Sequence, residues 1–178
     1  MPSQRLARVA GLFYALNIVL GSLALLWTRS GSPAAAEQMT VAAAADYAIV
    51  VLLLGCLFEP AGRALSWTIA AIGLVGCATS ALEPLHLTSS PVNALAVFGI
   101  YCLGLGTLVI RSALMPRLIG LLLMAGGVSW LTFALPSLSH HLAPWNTAPG
   151  AIAELIFTLW LLAFGVRAAS EPDSPQPA

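Results

Sequence analysis

The chain has 178 residues, of which 59% are hydrophobic and only seven basic and seven acidic, about 8% charged, against roughly 25% in an ordinary soluble domain. A domain of this length lacks the interior to hide so many apolar side chains and the charges to keep the remainder in water. A water-soluble fold is excluded. With zero net charge and no basic run to neutralise phosphates, nucleic-acid binding is not supported.

A helix crossing hydrocarbon needs about 20 apolar residues at about 1.5 Å each. Six segments meet or approach this, predicting spans over Val9–Thr28, Val41–Phe58, Ala64–Leu82, Asn93–Ile110, Arg117–Leu135 and Pro149–Val166. The fold class read from the sequence is therefore all-α, a six-helix transmembrane bundle with both termini cytoplasmic, in one domain over residues 1–167. Residues 168–178, rich in Pro and acidic side chains, predict a disordered tail.

Taken in order, the first span follows Arg5 and Arg8. Its apolar stretch is longer than the 7 to 15 residues usual in a cleavable signal, which favours a true span. Ala10, Tyr14, Asn17, Gly21, Ala24 and Thr28 recur at four- and three-residue intervals, so one face should pack against other helices. Asn17 needs a partner there, since an unpaired amide in hydrocarbon is costly. The connection 29–40 is expected to be a long outer loop.

The second span carries Asp46, which costs up to about 3 kcal/mol at a helix centre, so its large apolar residues leave a narrow margin for insertion. The third, fourth and fifth spans hold small residues three, four or seven apart: Gly73 and Cys77, Gly99, Cys102 and Gly106, Gly120 and Gly127. Such stripes let helices approach closely where lipid removes the hydrophobic drive to associate. Cys56, Cys77 and Cys102 all fall within spans, where packing is their expected role and no disulfide framework follows. The twelve prolines all fall in connections, in termini or at span edges, as interior proline would break a helix.

Arginine placement orients the bundle. Arg5, Arg8, Arg63, Arg111, Arg117 and Arg167 fall on one side and Arg29 alone on the other, which places the termini in the cytoplasm. The outer connections are expected to be longer than the inner ones. Trp27 and Trp145 near the outer surface are expected interfacial anchors.

Several pieces together resemble a known family. Ala7-Arg8-Val9-Ala10-Gly11-Leu12 with Tyr14 and Gly21 is similar to the opening of a bacterial membrane family, domain of unknown function 4386. A stronger similarity runs from Phe98-Gly99 through Gly106, Leu108, Arg111-Ser112, Pro116-Arg117, Gly120 and Ala125-Gly126 to the Gly150–Leu162 helix with Glu154 and Trp160-Leu161-Leu162. The resemblance implies a polytopic bacterial membrane protein without an assigned reaction. It also implies a histidine in the fourth span where this chain has Tyr101, a departure that weighs against a proton relay built on that position.

Ionisable groups within spans are rare and mark pathways or sites. Asp46 and Glu154 are accordingly the first candidates, each about five residues, or roughly 8 Å, inside the outer end of its predicted span. Asn17 and Tyr101 are secondary binding candidates, and the outer connections add Glu83, His86, His140 and His141. Adjacent histidines on a loop do not readily reach one ion, so no metal set is read from them. No nucleophile motif, phosphate loop or dinucleotide fingerprint is present, and no cofactor is implied.

Three activities fit these residues. The leading one binds or moves a small solute or a proton through an outward-facing polar pocket holding Asp46 and Glu154. A membrane-embedded enzyme acting on a lipid or isoprenoid-like substrate, with Glu154, Glu83 and the histidines as acid and base, is the alternative. An accessory subunit, pairing with another membrane protein or with its own copies, is the third. The lipid bilayer is the partner common to all.

Overall fold

The computed structural model describes residues 2–85, 87 and 93–166. His86, Arg167 and the tail 168–178 lie outside the described residues. Among the described residues there are seven helices: α1 (Pro2–Arg29), α2 (Pro33–Phe58), α3 (Arg63–Leu82), α4 (Ala94–Ser112), α5 (Arg117–Leu131), α6 (Pro136–Leu142) and α7 (Ala148–Ala163). Single turns of 3₁₀ helix extend α2 over Glu59–Ala61 and α5 over Thr132–Ala134. Five helices, α1 to α5 with their extensions, are long and apolar enough to cross a membrane by length and composition, and α7 is a shorter apolar helix of 16 residues.

The six long helices form a closed ring in chain order. Each packs against its sequence neighbours, α5 packs against α7, and α7 closes onto α1, while α6 stays outside the ring beside the end of α5. Antiparallel neighbours are what short connections between helices produce. The centre is filled by Tyr14, Tyr47, Tyr101, Leu54, Leu105 and Phe157, each nearly or wholly buried, whereas leucines and valines on the outer faces are exposed as lipid requires.

Glycine sets the closest approaches. A Cβ on Gly99 would lie 2.8 Å from the carbonyl oxygen of Gly127, and one on Gly127 would lie 2.7 Å from that of Gly99. Seven residues along, Gly106 and Gly120 repeat the relationship at 2.5 and 2.7 Å. Two reciprocal glycine pairs in antiparallel register therefore hold α4 and α5 backbone to backbone, where any side chain would meet an immovable carbonyl. Gly11 similarly admits Leu161, and Gly126 admits Ala153 and the backbone of Gly150.

The start of α1 and the residues that follow α7 meet at one face of the bundle. The Gln4 amide donates to the Phe164 carbonyl at 3.0 Å, and its oxygen accepts the Val166 N–H at 2.8 Å. Gly165, with φ of +64°, turns the chain out of α7 at that point, so this helix ends three residues before the predicted Val166. The contact between the two ends agrees with an even number of crossings.

Two further expectations are corrected. The connection 29–40 is not a long loop: α2 begins at Pro33 and leaves only Ser30–Ser32 between helices. Proline is favourable in a first helical turn, and the alanines at 34–36 are strong helix formers, so α2 continues beyond its most apolar stretch. The outer connection 136–148 contains α6, opened by Pro136. On α1, Ala10, Tyr14 and Ala24 are buried, but Gly21 and Thr28 face outward, and a Cβ on Gly21 would meet nothing. The predicted stripe is continuous in sequence, yet α2 covers only part of it.

Candidate functional site

Glu154 lies in the second turn of α7, half-buried. One turn earlier on the same face is Gly150, whose missing side chain leaves room for the Trp130 indole at the end of α5. Seated there, the indole N–H donates to Glu154 Oε1 at 2.9 Å. Buried indole nitrogens require such a partner. From α4, the Cys102 thiol points at the same oxygen at 3.8 Å. Tyr14 of α1 packs its ring against Phe157, three residues further along α7.

From this carboxyl a hydroxyl pair leads inward. Tyr14 and Tyr47 face each other across α1 and α2 with their oxygens 2.9 Å apart. Their rings meet edge to face with centroids 5.2 Å apart, Tyr47 repeats this geometry with Phe98 at 5.2 Å and Tyr101 at 6.1 Å, and Tyr14 with Phe157 at 5.9 Å. Edge-to-face contacts of this kind fix ring orientation. Gly73 on α3 makes the space for Tyr101, since a Cβ there would lie 2.8 Å from its ring. Five helices thus converge on one polar and aromatic cluster inside the bundle.

The remaining candidates are distributed as follows. Asp46 is 7% exposed on α2, and its Oδ2 has no hydrogen-bond partner among the described residues. It precedes Tyr47 in the chain, but α2 does not pack against α7, so the structure does not bring Asp46 to Glu154. Because α2 starts at Pro33, Asp46 also stands thirteen residues into its helix rather than five. Asn17 is engaged, donating its amide to the Ala43 carbonyl at 2.7 Å. Glu83 caps α3 and is exposed, and His140 and His141 are exposed in the last turn of α6. None of these three forms an ion pair or hydrogen bond with Glu154 among the described residues. No group of three His, Cys, Asp or Glu side chains that could hold a metal ion occurs there either.

A second polar knot sits nearer the α6 end. Ser129 donates its hydroxyl to the Asn146 carbonyl, and the Asn146 amide donates to Thr132 Oγ1 at 3.1 Å. These bonds tie the chain leading into α7 to the end of α5, which holds Trp130 and Glu154 at a fixed separation.

Sequence reasoning did not single out Trp130 or Tyr47, and it read Tyr14 and Cys102 as packing residues. A signal for Trp130 existed: a tryptophan in a glycine-rich span, away from the interfacial belts, has an N–H that needs a buried acceptor. Tyr47 had no comparable signal.

A ring of apolar, membrane-length helices closed around a half-buried carboxyl defines an integral membrane protein with lipid as its surroundings. Residues 91–165 match the model of a family described as domain of unknown function 4386, which bears out the resemblance seen along the Phe98–Leu162 stretch. Cys102, Trp130 and Glu154 lie within the match, whereas Tyr14 and Tyr47 come from the part of the chain before it. No curated protein and no solved structure matches the chain.

Proposed function

We propose that the protein binds and releases a proton at Glu154, in the half of the bundle away from the chain termini, and so handles protons across a bacterial cytoplasmic membrane with both termini in the cytoplasm. The observation that carries this reading is a carboxyl on the ring's inner side, approached by an indole N–H and a thiol. Groups of this kind can stabilise either charge state of the carboxyl without a counter-ion. The filled centre supports a proton over a larger solute: Tyr14, Tyr101 and Phe157 are at most 1% exposed and occupy the space that a solute would need. The arginine asymmetry supports the orientation, and the family resemblance supports the bacterial setting.

Reconstitution into vesicles enclosing a pH-sensitive dye tests the proposal. An acid jump should produce an internal pH change in the parent protein. Glu154→Gln, which keeps the shape and loses the titration, should reduce it at least tenfold while inserting normally. Flux unchanged in Glu154→Gln would overturn the proposal.

A further inference from the structure

Between Arg117 and Glu154 the chain has no Asp, Glu, Lys or Arg, and α6 lies in the middle of this uncharged stretch. The other two connections at the same end of the bundle differ, since one leads from Arg29 towards Glu37 and the other begins at Glu83. α6 also carries large apolar side chains that no described residue covers. Leu138 and Leu142 stand one turn apart on it and are exposed, with exposed Leu135 just before the helix and Trp145, 79% exposed, just after it. The Trp145 backbone N–H donates to the Leu142 carbonyl at 2.9 Å, which folds that residue back onto the helix end.

Helical spacing gives α6 distinct sides. Ser139 stands about a quarter-turn from the two leucines and is the side held to the bundle: the Asn146 amide donates to its hydroxyl at 3.5 Å and to Thr132 Oγ1 at 3.1 Å. His141 lies on the side away from Ser139, and His140 lies opposite the leucines; both are exposed. Polar tether, apolar side and imidazoles are thus separated on one short helix that joins the end of α5 to the start of α7.

We propose that α6, with Leu135 and Trp145, is a membrane-surface anchor whose apolar side sinks into the phospholipid leaflet at the bundle's far end from Gln4 and Val166. Exposed leucines and a tryptophan with no charge among them are unfavourable in water, so this side requires an occupant. Lipid is the occupant the fold supplies. The exposed side chains of the flanking spans, such as Val128 on α5 and Ile152 on α7, face hydrocarbon and lead to this level from either side. Tryptophan is favoured where hydrocarbon meets water, and a helix lying in that plane buries its apolar side by about 5 to 10 Å. His140, opposite the leucines, is then left in the headgroup layer, where an imidazole N–H can donate to phosphate oxygens. Anchored in this way, α6 fixes the depth of Glu154, which lies about 9 Å along α7 from Ala148. This role of α6 is independent of proton exchange at Glu154.

Spin labels on the full chain, reconstituted in vesicles of phosphatidylethanolamine and phosphatidylglycerol, test the seating. The exposed Cys56 is replaced by serine, and the buried Cys77 and Cys102 are kept. Single labels are placed through Leu138→Cys, Leu142→Cys and His140→Cys, with Leu121→Cys on the exposed side of α5 as the lipid reference. Collisions with oxygen, which concentrates in hydrocarbon, and with a neutral nickel chelate, which stays in water, report the surroundings of each label. The oxygen-to-nickel ratio at positions 138 and 142 should approach that at 121 and exceed that at 140 several-fold. Nickel access at 138 and 142 equal to that at 140 would place the apolar side in water and overturn the anchor. Shielding of both positions from both reagents would show a protein surface, a second copy or another chain, in place of lipid, and would overturn it equally. Lipids brominated just below the headgroup should quench the parent's tryptophan emission more than that of Trp145→Phe; equal fractional quenching would show that this indole lies outside the leaflet.

Discussion

The Trp130 indole occupies the volume that a side chain on residue 150 would fill. Because Glu154 stands one turn further along the same face of α7, this seating points the indole nitrogen at the carboxyl. Gly150→Ala should therefore drive a rigid ring from its place, with the 1 to 3 kcal/mol loss typical of overpacking. Thermal unfolding in detergent would measure the loss. A change in tryptophan emission relative to the parent would show that the indole had moved; an unshifted midpoint and spectrum would refute the relationship.

Trp130→Phe separates the hydrogen bond from the packing. It keeps most of the aromatic bulk and removes the donor, with an expected cost of about 1 kcal/mol. The same variant should alter the infrared carbonyl frequency of protonated Glu154. An unaltered band would mean that the indole does not act on the carboxyl.

Glycine substitutions should divide sharply by position. Gly106→Ala and Gly120→Ala each place a Cβ against a facing backbone carbonyl, which cannot move without shifting a helix, so each should cost about 1 to 3 kcal/mol. Gly21→Ala meets nothing and should be neutral or stabilising by up to about 1 kcal/mol, from helix propensity alone. Comparable unfolding midpoints for all three would contradict the α4–α5 packing described above.

Removing the Gln4 side chain in Gln4→Ala leaves the Val166 N–H and the Phe164 carbonyl without their described side-chain partner. Faster hydrogen exchange at Val166 is expected, with little change at Leu161 in the bundle interior. Equal protection at Val166 in both proteins would show that the two ends are not joined through this residue.

Tyr101→Phe should be at least as stable as the parent, by up to about 1 kcal/mol, since it relieves a buried hydroxyl of its missing partner. Chemical denaturation in mixed micelles would report this. A marked destabilisation would show that the hydroxyl has a partner in solution.

Much of the architecture was legible in the chain because lipid imposes a local rule. Every spanning segment must satisfy its own backbone and present apolar side chains, so composition and proline position located six of the seven helices, α6 excepted, to within a few residues for most ends. The failures occurred where that rule does not apply. At 29–40 the polarity rises, but Pro33 and the alanines that follow continue a helix, and in 136–148 a seven-residue helix is too short to leave a hydrophobic period. Glu154 stood out because a carboxylate within a span is costly.

What the residues determined alone was therefore the solvent, the number of long helices and the rarity of Glu154 and Asp46, all properties of single segments weighed against hydrocarbon. Only the tertiary structure decided that α7 closes onto α1, that Trp130 and Cys102 gather around Glu154, and that Asp46 does not join them. Those outcomes depend on which helix faces meet. That is settled by the fit of small residues such as Gly99, Gly127 and Gly150 against particular partners, and no property of one helix read by itself contains it.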